Sequence, residues 1–159
     1  MVRPIVTLIT DLKKSCLPVE KNENVKEIIQ DLKDTLNSFS HKAVGITANQ
    51  IGYNKKISYI RIPKSKNEKT QEWIYNEYIL INAKITGKSR PIKVQGEGCL
   101  SFPGLSLTTR RYIFVTVEFE NEKRQIQTGL FQDYESLAVQ HEIDHTLGLT
   151  IFDRKWRRK

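Results

Sequence analysis

The residues Gln140-His141-Glu142-Ile143-Asp144-His145 contain the pattern H-E-x-x-H. On a helix, residues four positions apart share one face, so the imidazoles of His141 and His145 can bind the same metal ion. Glu142 follows the first of these ligands and is well placed to act as a general base on a metal-bound water. The alternative is a pair of surface histidines on a helix. Because the chain has three histidines and two of them fall in this pattern, a metal centre is favoured.

The flanking sequence predicts that this motif lies on a helix over residues 134–147. Leu137 and Ala138 precede the two histidines at helical spacing. Asp133 is predicted to cap the start of the helix, and Gly148 is predicted to end it.

The order of the other segments predicts an α+β fold. Apolar residues three and four apart predict an amphipathic helix over 22–39, with Asn22 or Asn24 as its cap. Residues 64–70 are predicted to be a polar turn or loop. Alternating and β-branched residues predict strands over 56–62, 73–81, 92–94, 112–120 and 124–130. One helix, several strands and a second helix do not fit a parallel β-α-β series.

The length and composition indicate one domain in a reducing compartment. With 159 residues and 18.5 kDa, we expect a single domain over 1–159. No apolar run approaches the roughly 18 residues of a membrane span, and the N-terminus lacks the pattern of a secretory signal. Cys16 and Cys99 are too few for a disulfide scaffold. We therefore expect a cytoplasmic protein without a membrane partner.

The chain is basic, with a net charge of +8 from 26 Lys and Arg against 18 Asp and Glu. Residues 154–159 hold five basic residues and Trp156. Such a segment can make a weak contact with RNA or the ribosome surface. It can also be solvated surface that keeps the chain soluble, which is the favoured interpretation. No helix-turn-helix, zinc-finger or RNP motif is present, so sequence-specific binding of nucleic acid is not expected.

A candidate third metal ligand lies in the sequence Gly96-Glu97-Gly98-Cys99-Leu100-Ser101-Phe102-Pro103-Gly104. The glycines and the proline predict a tight, irregular loop around Cys99. A thiolate there would bind Zn²⁺, Fe²⁺, Ni²⁺ or Co²⁺ well. A lone cysteine is more often a small buried apolar residue, but the glycine-rich setting beside H-E-x-x-H favours a ligand. Cys16 lacks such a setting and is interpreted as structural.

Small residues dominate the segment 43–52, A-V-G-I-T-A-N-Q-I-G. Their size lets another chain approach the backbone closely. The side chain of Gln50 can donate a hydrogen bond to a developing oxyanion. A glycine-spaced turn that packs on the core is the alternative interpretation.

Taken in order, these three segments resemble those of peptide deformylases. The family pattern is G-φ-G-φ-A-A-x-Q, then E-G-C-φ-S, then Q-H-E-x-D-H, and the chain has corresponding segments at 43–50, 97–101 and 140–145. Residues 102–104 and 148–154 also look familial, so the resemblance spans nearly the whole chain.

The chain departs from the family pattern at two positions and at its end. Ala43 stands where the family usually has Gly, and Thr47 stands where it usually has Ala. Both residues are expected to add atoms near the substrate groove. The chain also resembles short, phage-like members that lack a C-terminal helix, since few residues follow Arg154.

The resemblance implies a hydrolase that removes the N-terminal formyl group from formyl-methionine of newly synthesised polypeptides and releases formate. It implies antiparallel sheets around a central helix that carries H-E-x-x-H, with an N-terminal helix. Metal-bound water, activated by Glu142, would attack the formyl carbonyl. The metal, Gln50 and the backbone N–H of Leu100 would stabilise the oxyanion. Nascent formylated peptides are the expected partners, and a monomer is expected.

One divalent metal ion is expected between Cys99, His141 and His145. Fe²⁺ is the ion that the resemblance implies in the cell, with Zn²⁺, Ni²⁺ or Co²⁺ as alternatives. Glu97 is expected to pair with Arg111 and orient the cysteine loop. The alternative for this pair is a surface ion pair of little consequence.

The family binds its substrate as an added strand, so backbone groups near Gly45 and Gly98 are expected to pair with the peptide. Val44, Leu137 and Ala138 are expected to form the walls around the methionine side chain.

Two other functions stay open at this point. A metallopeptidase shares the H-E-x-x-H pattern and would cleave unformylated peptides. A binding module without catalysis would have no need of the metal ligands or of Glu142, and all four of these residues are present.

Overall fold

The computed structural model describes residues 1–158 and confirms an α+β fold. Its α-helices are α1 (Ile9–Leu12), α2 (Lys26–Asn37) and α3 (Asp133–Thr146). Short 3₁₀ helices cover Ala48–Ile51 and Ile151–Arg154. The strands are β1 (Gly45–Thr47), β2 (Ile57–Lys66), β3 (Trp73–Lys88), β4 (Pro91–Gly98), β5 (Ser106–Tyr112), β6 (Phe114–Glu120) and β7 (Ile126–Gln132).

The strands form two antiparallel sheets. The larger has five strands in the order β1-β2-β3-β6-β7, and β4 and β5 form the smaller one. Strands β1 and β4 each have an edge without a strand partner among residues 1–158. These two edges matter because both strands line the cleft described below.

The part of the large sheet formed by β1 and the first half of β2 is buried on both faces, by α2 on one side and α3 on the other. Successive side chains of a strand point to opposite faces, and β2 follows this rule. Ile57 and Tyr59 pack in the cluster that contains Leu32 of α2. Ile60 packs in the cluster that contains Ile143 of α3. The α3 helix is therefore held against the sheet by its apolar residues.

The ends of α3 agree only in part with the prediction. Gly148 has φ +73° and its N–H donates to the carbonyl of His145, which ends the helix as predicted. The prediction that Asp133 caps the helix is wrong. Asp133 is the first helical residue, with φ +49°, and its N–H donates to the carbonyl of Ile113 at 3.0 Å.

The helix predicted over 22–39 corresponds to α2, which is shorter than predicted and begins at Lys26. The prediction that Asn22 or Asn24 caps the helix is wrong: Val25 is the N-cap and has no side-chain cap hydrogen bond, although Asn24 accepts from the N–H of Lys26 at 3.1 Å. Two errors concern strands. The predicted loop at 64–70 is shorter, because β2 continues to Lys66. Strand β5 was not predicted. Among residues 1–158, no helix is both long enough and apolar enough to cross a membrane.

Candidate metal centre and active site

The structure brings Cys99, His141 and His145 together. Their ligand atoms all lie within 4.8 Å of one another. The Nε2 atoms of His141 and His145 are 3.2 Å apart, and Sγ of Cys99 is 3.3 Å from Nε2 of His145. The helix places the two histidines one turn apart, and the loop after β4 brings the cysteine to them.

These residues fit a tetrahedral divalent ion. Bond lengths of 2.0–2.1 Å to nitrogen and 2.3 Å to sulfur require ligand atoms to be about 3.3 to 3.6 Å apart. The observed N–N and S–N separations of 3.2 and 3.3 Å are close to these values. Burial and the neighbouring His141 lower the pKa of His145 well below its ordinary value.

Glu97 contacts the first of the two histidines. Its Oε1 lies 2.8 Å from Nδ1 of His141, which leaves Nε2 free to bind a metal. Arg111 donates to both carboxylate oxygens of Glu97, and its side chain is 2% exposed. Burial alone would raise the pKa of Glu97, but the hydrogen bonds from His141 and Arg111 hold it well below its ordinary range. The Glu97–Arg111 contact is therefore a buried ion pair rather than a surface one.

The ion pair continues to two residues that the sequence reasoning did not single out. Nη1 of Arg111 donates to Asp144 at 2.5 Å, and Arg154 donates to the same carboxylate at 2.7 and 2.9 Å. Two acidic and two basic side chains thus neutralise one another beneath the metal site. The signal for Asp144 was its position between Glu142 and His145, since a carboxylate on the inner side of a helix needs a buried partner.

The carboxylate of Glu142 is held against β1. Its Oε2 accepts a hydrogen bond from the hydroxyl of Thr47 at 2.7 Å. A Cβ atom at Gly45 would lie 2.5 Å from its Oε1, so only glycine allows this approach. Burial raises the pKa of Glu142, opposed by His141 and by the Thr47 hydrogen bond.

Gln50 lies beside the metal ligands. Its Nε2 donates to Oγ of Ser101 at 3.1 Å and is 3.6 Å from Sγ of Cys99. Its Oε1 accepts from the N–H of Thr47 at 2.9 Å, which fixes which end of the amide faces the sulfur. Ser101, 1% exposed, is a further residue that the sequence reasoning missed.

The ligands open onto a cleft of about 750 Å³. Its lining includes the sequence-predicted residues Val44, Gly45, Gln50, Glu97, Gly98, Cys99, Leu100, Leu137, Ala138, His141 and Glu142. His145 and Arg111 are absent from the lining and lie behind it. The structure thus gathers the predicted residues around one cleft.

The expectation that Ala43 and Thr47 both add atoms near the groove is half correct. Ala43 lines the cleft. Thr47 is 0% exposed and points instead to Glu142 and Ser58. Its extra atoms therefore contact the site's carboxylate rather than the space for a substrate.

Comparison with known proteins identifies the family of the chain. The family model described as polypeptide deformylase matches residues 2–159. The chain is 36% identical to peptide deformylase 2 of Clostridium perfringens, over 90% of the chain and 85% of that relative. It is also 36% identical to the peptide deformylase of Aquifex aeolicus, over 100% of the chain and 92% of that relative.

Among solved structures, the peptide deformylase of Ehrlichia chaffeensis superposes with a TM-score of 0.85 at 26% identity, covering 99% of this chain and 89% of that one. Together with the match over residues 2–159, these similarities fix the family. The chain belongs to the polypeptide deformylase family and is an enzyme of this group of metal-dependent hydrolases.

Proposed function

We propose that this enzyme removes the formyl group from the N-terminal formyl-methionine of newly synthesised polypeptides and releases formate. The observation that carries the proposal is the convergence of Cys99, His141 and His145 at the wall of one cleft, beside the buried carboxylate of Glu142. Cys99, His141 and His145 would hold a divalent ion, which would supply a Lewis acid for water and for the formyl carbonyl. We propose Fe²⁺ as the ion in the cell, with Zn²⁺, Ni²⁺ or Co²⁺ as alternatives.

Glu142 is proposed to move the proton. Burial shifts the pKa of Glu142 upward, in the direction of neutral pH. Such a shift suits a group that must accept a proton and then release it. Glu142 takes the proton from the attacking water and returns it to the leaving amine. The products are formate and a free N-terminal amine.

Gln50 and Leu100 are proposed to stabilise the oxyanion that develops on the formyl oxygen. Gln50 presents its amide N–H groups beside Cys99, and Leu100 follows the cysteine directly in the cleft wall. Such donors are worth about 3 kcal/mol each when they are fixed in advance. The hydrogen bond between Oε1 of Gln50 and the N–H of Thr47 provides that fixation.

The peptide is proposed to bind as an added strand between β1 and β4. Both strands line the cleft, and Gly45 and Gly98 place bare backbone there. Val44, Leu137 and Ala138 form apolar wall on the side of α3 and β1, which suits the unbranched methionine side chain.

We propose that residues 1–159 act as one catalytic domain, a cytoplasmic monomer. Lys155, Arg157 and Arg158 are exposed beside β5, where the N–H of Trp156 donates to the carbonyl of Thr108 at 2.8 Å. We propose that these basic residues form a solvated surface. A weak contact with the ribosome is the alternative. Cosedimentation with ribosomes at low and high salt, with and without residues 155–159, decides between them.

The activity is tested by formate release from a formyl-Met tripeptide. Protein purified without oxygen is loaded separately with Fe²⁺, Ni²⁺ or Zn²⁺. We expect release that a hydroxamate chelator blocks. The Glu142→Ala variant should retain its metal and lose turnover. Cleavage of unformylated peptide without formate would instead show a metallopeptidase, and absence of both reactions in metal-loaded protein would overturn the proposal.

A further inference from the structure

Thr47 makes an unusual set of contacts for a residue on a short strand. Its side chain is fully buried, and Oγ1 lies 2.7 Å from Oε2 of Glu142 and 2.9 Å from Oγ of Ser58. Oγ1 is also 3.1 Å from the backbone carbonyl of Glu142. Ser58 is itself 1% exposed and lies opposite Thr47 in the β1–β2 pair. Two buried hydroxyls therefore stand in line behind one carboxylate oxygen.

The direction of these hydrogen bonds follows from counting hydrogens. A threonine hydroxyl has one hydrogen, and an ionised carboxylate and a backbone carbonyl can only accept. Thr47 must therefore donate to Glu142, and the shorter contact, to the charged Oε2, takes the hydrogen. In the remaining contact Ser58 is the donor and Thr47 the acceptor. The order is Ser58 to Thr47 to Glu142.

The other carboxylate oxygen of Glu142 has a different environment. Oε1 lies over the α-carbon of Gly45, which lines the cleft, as Glu142 does. No donor among residues 1–158 makes a hydrogen bond to Oε1, and this atom is not among the enclosed, unpartnered ones. Oε1 is therefore the oxygen that a molecule in the cleft can reach.

We propose that Thr47 is a positioning residue that assigns the proton transfer to Oε1 of Glu142. The hydroxyl occupies Oε2 whether or not Oε1 carries the proton, so the carboxylate keeps one orientation while it accepts the proton from water and returns it to the amine. Ser58 fixes the rotamer of Thr47. This inference rests on the proposed function, because it concerns the base of that reaction.

The test compares Thr47→Val, which keeps the shape and removes the hydroxyl, with Thr47→Ser, which keeps the hydroxyl. We expect Thr47→Val to lower kcat by about 10- to 100-fold, the effect of losing a hydrogen bond to a charged group. KM should stay within twofold of the wild-type value. Metal content and the absorption spectrum of the Co²⁺-loaded protein should be unchanged. Thr47→Ser should recover most of the lost kcat. Thr47→Ala serves if the valine variant does not fold.

Thr35→Val is the matched control. Thr35 is equally buried, but it lies on α2 and its hydroxyl accepts from the N–H of Arg3 at 2.9 Å. This control should lower stability and leave kcat unchanged.

Crystal structures of the wild type and of Thr47→Val give a readout that does not depend on activity. We expect the Glu142 carboxylate to rotate or to occupy more than one orientation in the valine variant. An unchanged kcat, or an unmoved Glu142, would overturn the inference. A wild type that releases no formate with any metal would overturn the proposed function instead, and the orientation of Glu142 would still decide the role of Thr47.

Discussion

Nδ1 of His141 and Oε1 of Glu97 lie 2.8 Å apart. A carboxylate can only accept, so this contact places the histidine proton on Nδ1 and directs Nε2 toward the other two ligands. The contact also restrains rotation of the imidazole ring. Metal affinity is therefore expected to depend on Glu97, which is not itself a ligand.

Replacing Glu97 by Gln tests this dependence. The amide keeps the size of the side chain but removes the charge that faces His141 and Arg111. We expect the Kd for Zn²⁺ to rise by about 10- to 100-fold, as measured by competition with a chelator. Glu118→Gln, on the exposed side of β6, is the control and should leave the Kd unchanged. Equal affinities for all three proteins would contradict the orienting role.

The two cysteines should differ in reactivity. Burial raises the pKa of Cys16 to about 11, and its side chain is enclosed beneath α3, where Sγ lies 3.9 Å from the carbonyl of His145. Cys99 lies in the wall of the cleft. At pH 7.5, a thiol reagent should modify one thiol in metal-free native protein and both after unfolding. Bound metal should protect Cys99, and rapid native modification of Cys16 would be inconsistent with its burial.

Acid should destabilise the protein partly through Asp31. Hydrogen bonds from the Met1 ammonium, from Arg3 and from Tyr53 lower the pKa of Asp31 to about 2, against an ordinary 3.8. A lowered folded-state pKa gives stability that is complete above about pH 4 and is lost as the pH falls toward 2.

Asp31→Asn should therefore lower the free energy of unfolding by about 1 kcal/mol at pH 7, a modest value because the basic partners are partly exposed. The difference from wild type should shrink below pH 4, as measured by urea unfolding across pH. Asp11→Asn is the control, since Asp11 is exposed and, among residues 1–158, forms an ion pair only with Lys14. If the stability difference between Asp31→Asn and wild type grew as the pH fell, the lowered pKa of Asp31 would be contradicted.

Leu137 should contribute to selection of the methionine side chain. It lies in the cleft wall, one turn before His141. The Leu137→Ala variant should reduce the ratio of kcat/KM for formyl-Met over formyl-Ala peptides by several-fold, because lost apolar contact affects the larger side chain more. Leu130→Ala, an exposed leucine on β7, should leave the ratio unchanged. An unaltered ratio in Leu137→Ala would place the methionine elsewhere.

Much of the fold follows from apolar periodicity, and β5 shows where this signal stops. Its sequence, S-L-T-T-R-R-Y, buries Thr109 and Arg111 rather than apolar residues. Arg111 can be buried because Glu97 and Asp144 neutralise it, and these partners are 14 and 33 positions away in the chain. No local sequence pattern reveals these distant ion pairs. A strand was therefore not predicted over the polar residues of β5.

The residues of the candidate site were easier to predict from the sequence than the side chains that contact them from the interior. His141, His145 and Glu142 follow from helical spacing, and Cys99 from its glycine-rich loop. The orientation of Thr47 did not follow, because all three residues of β1 are buried and a strand buried on both faces has no alternation to read. Its contact with Glu142 appears only when α3 packs against β1.

The four charged side chains Glu97, Arg111, Asp144 and Arg154 have a consequence for how this sequence can diverge. Glu97, Arg111 and Asp144 are largely buried, and loss of Arg111 would leave two carboxylates in the interior without this partner, at a cost of several kcal/mol. Arg154 is 39% exposed and contributes less. Single replacements of the three buried members are therefore selected against. A joint exchange for apolar groups of similar volume would preserve the packing but remove the carboxylate that contacts His141. Across descendants of this chain, the three buried positions should be inherited or lost together, although the first and the last are 47 positions apart in the sequence.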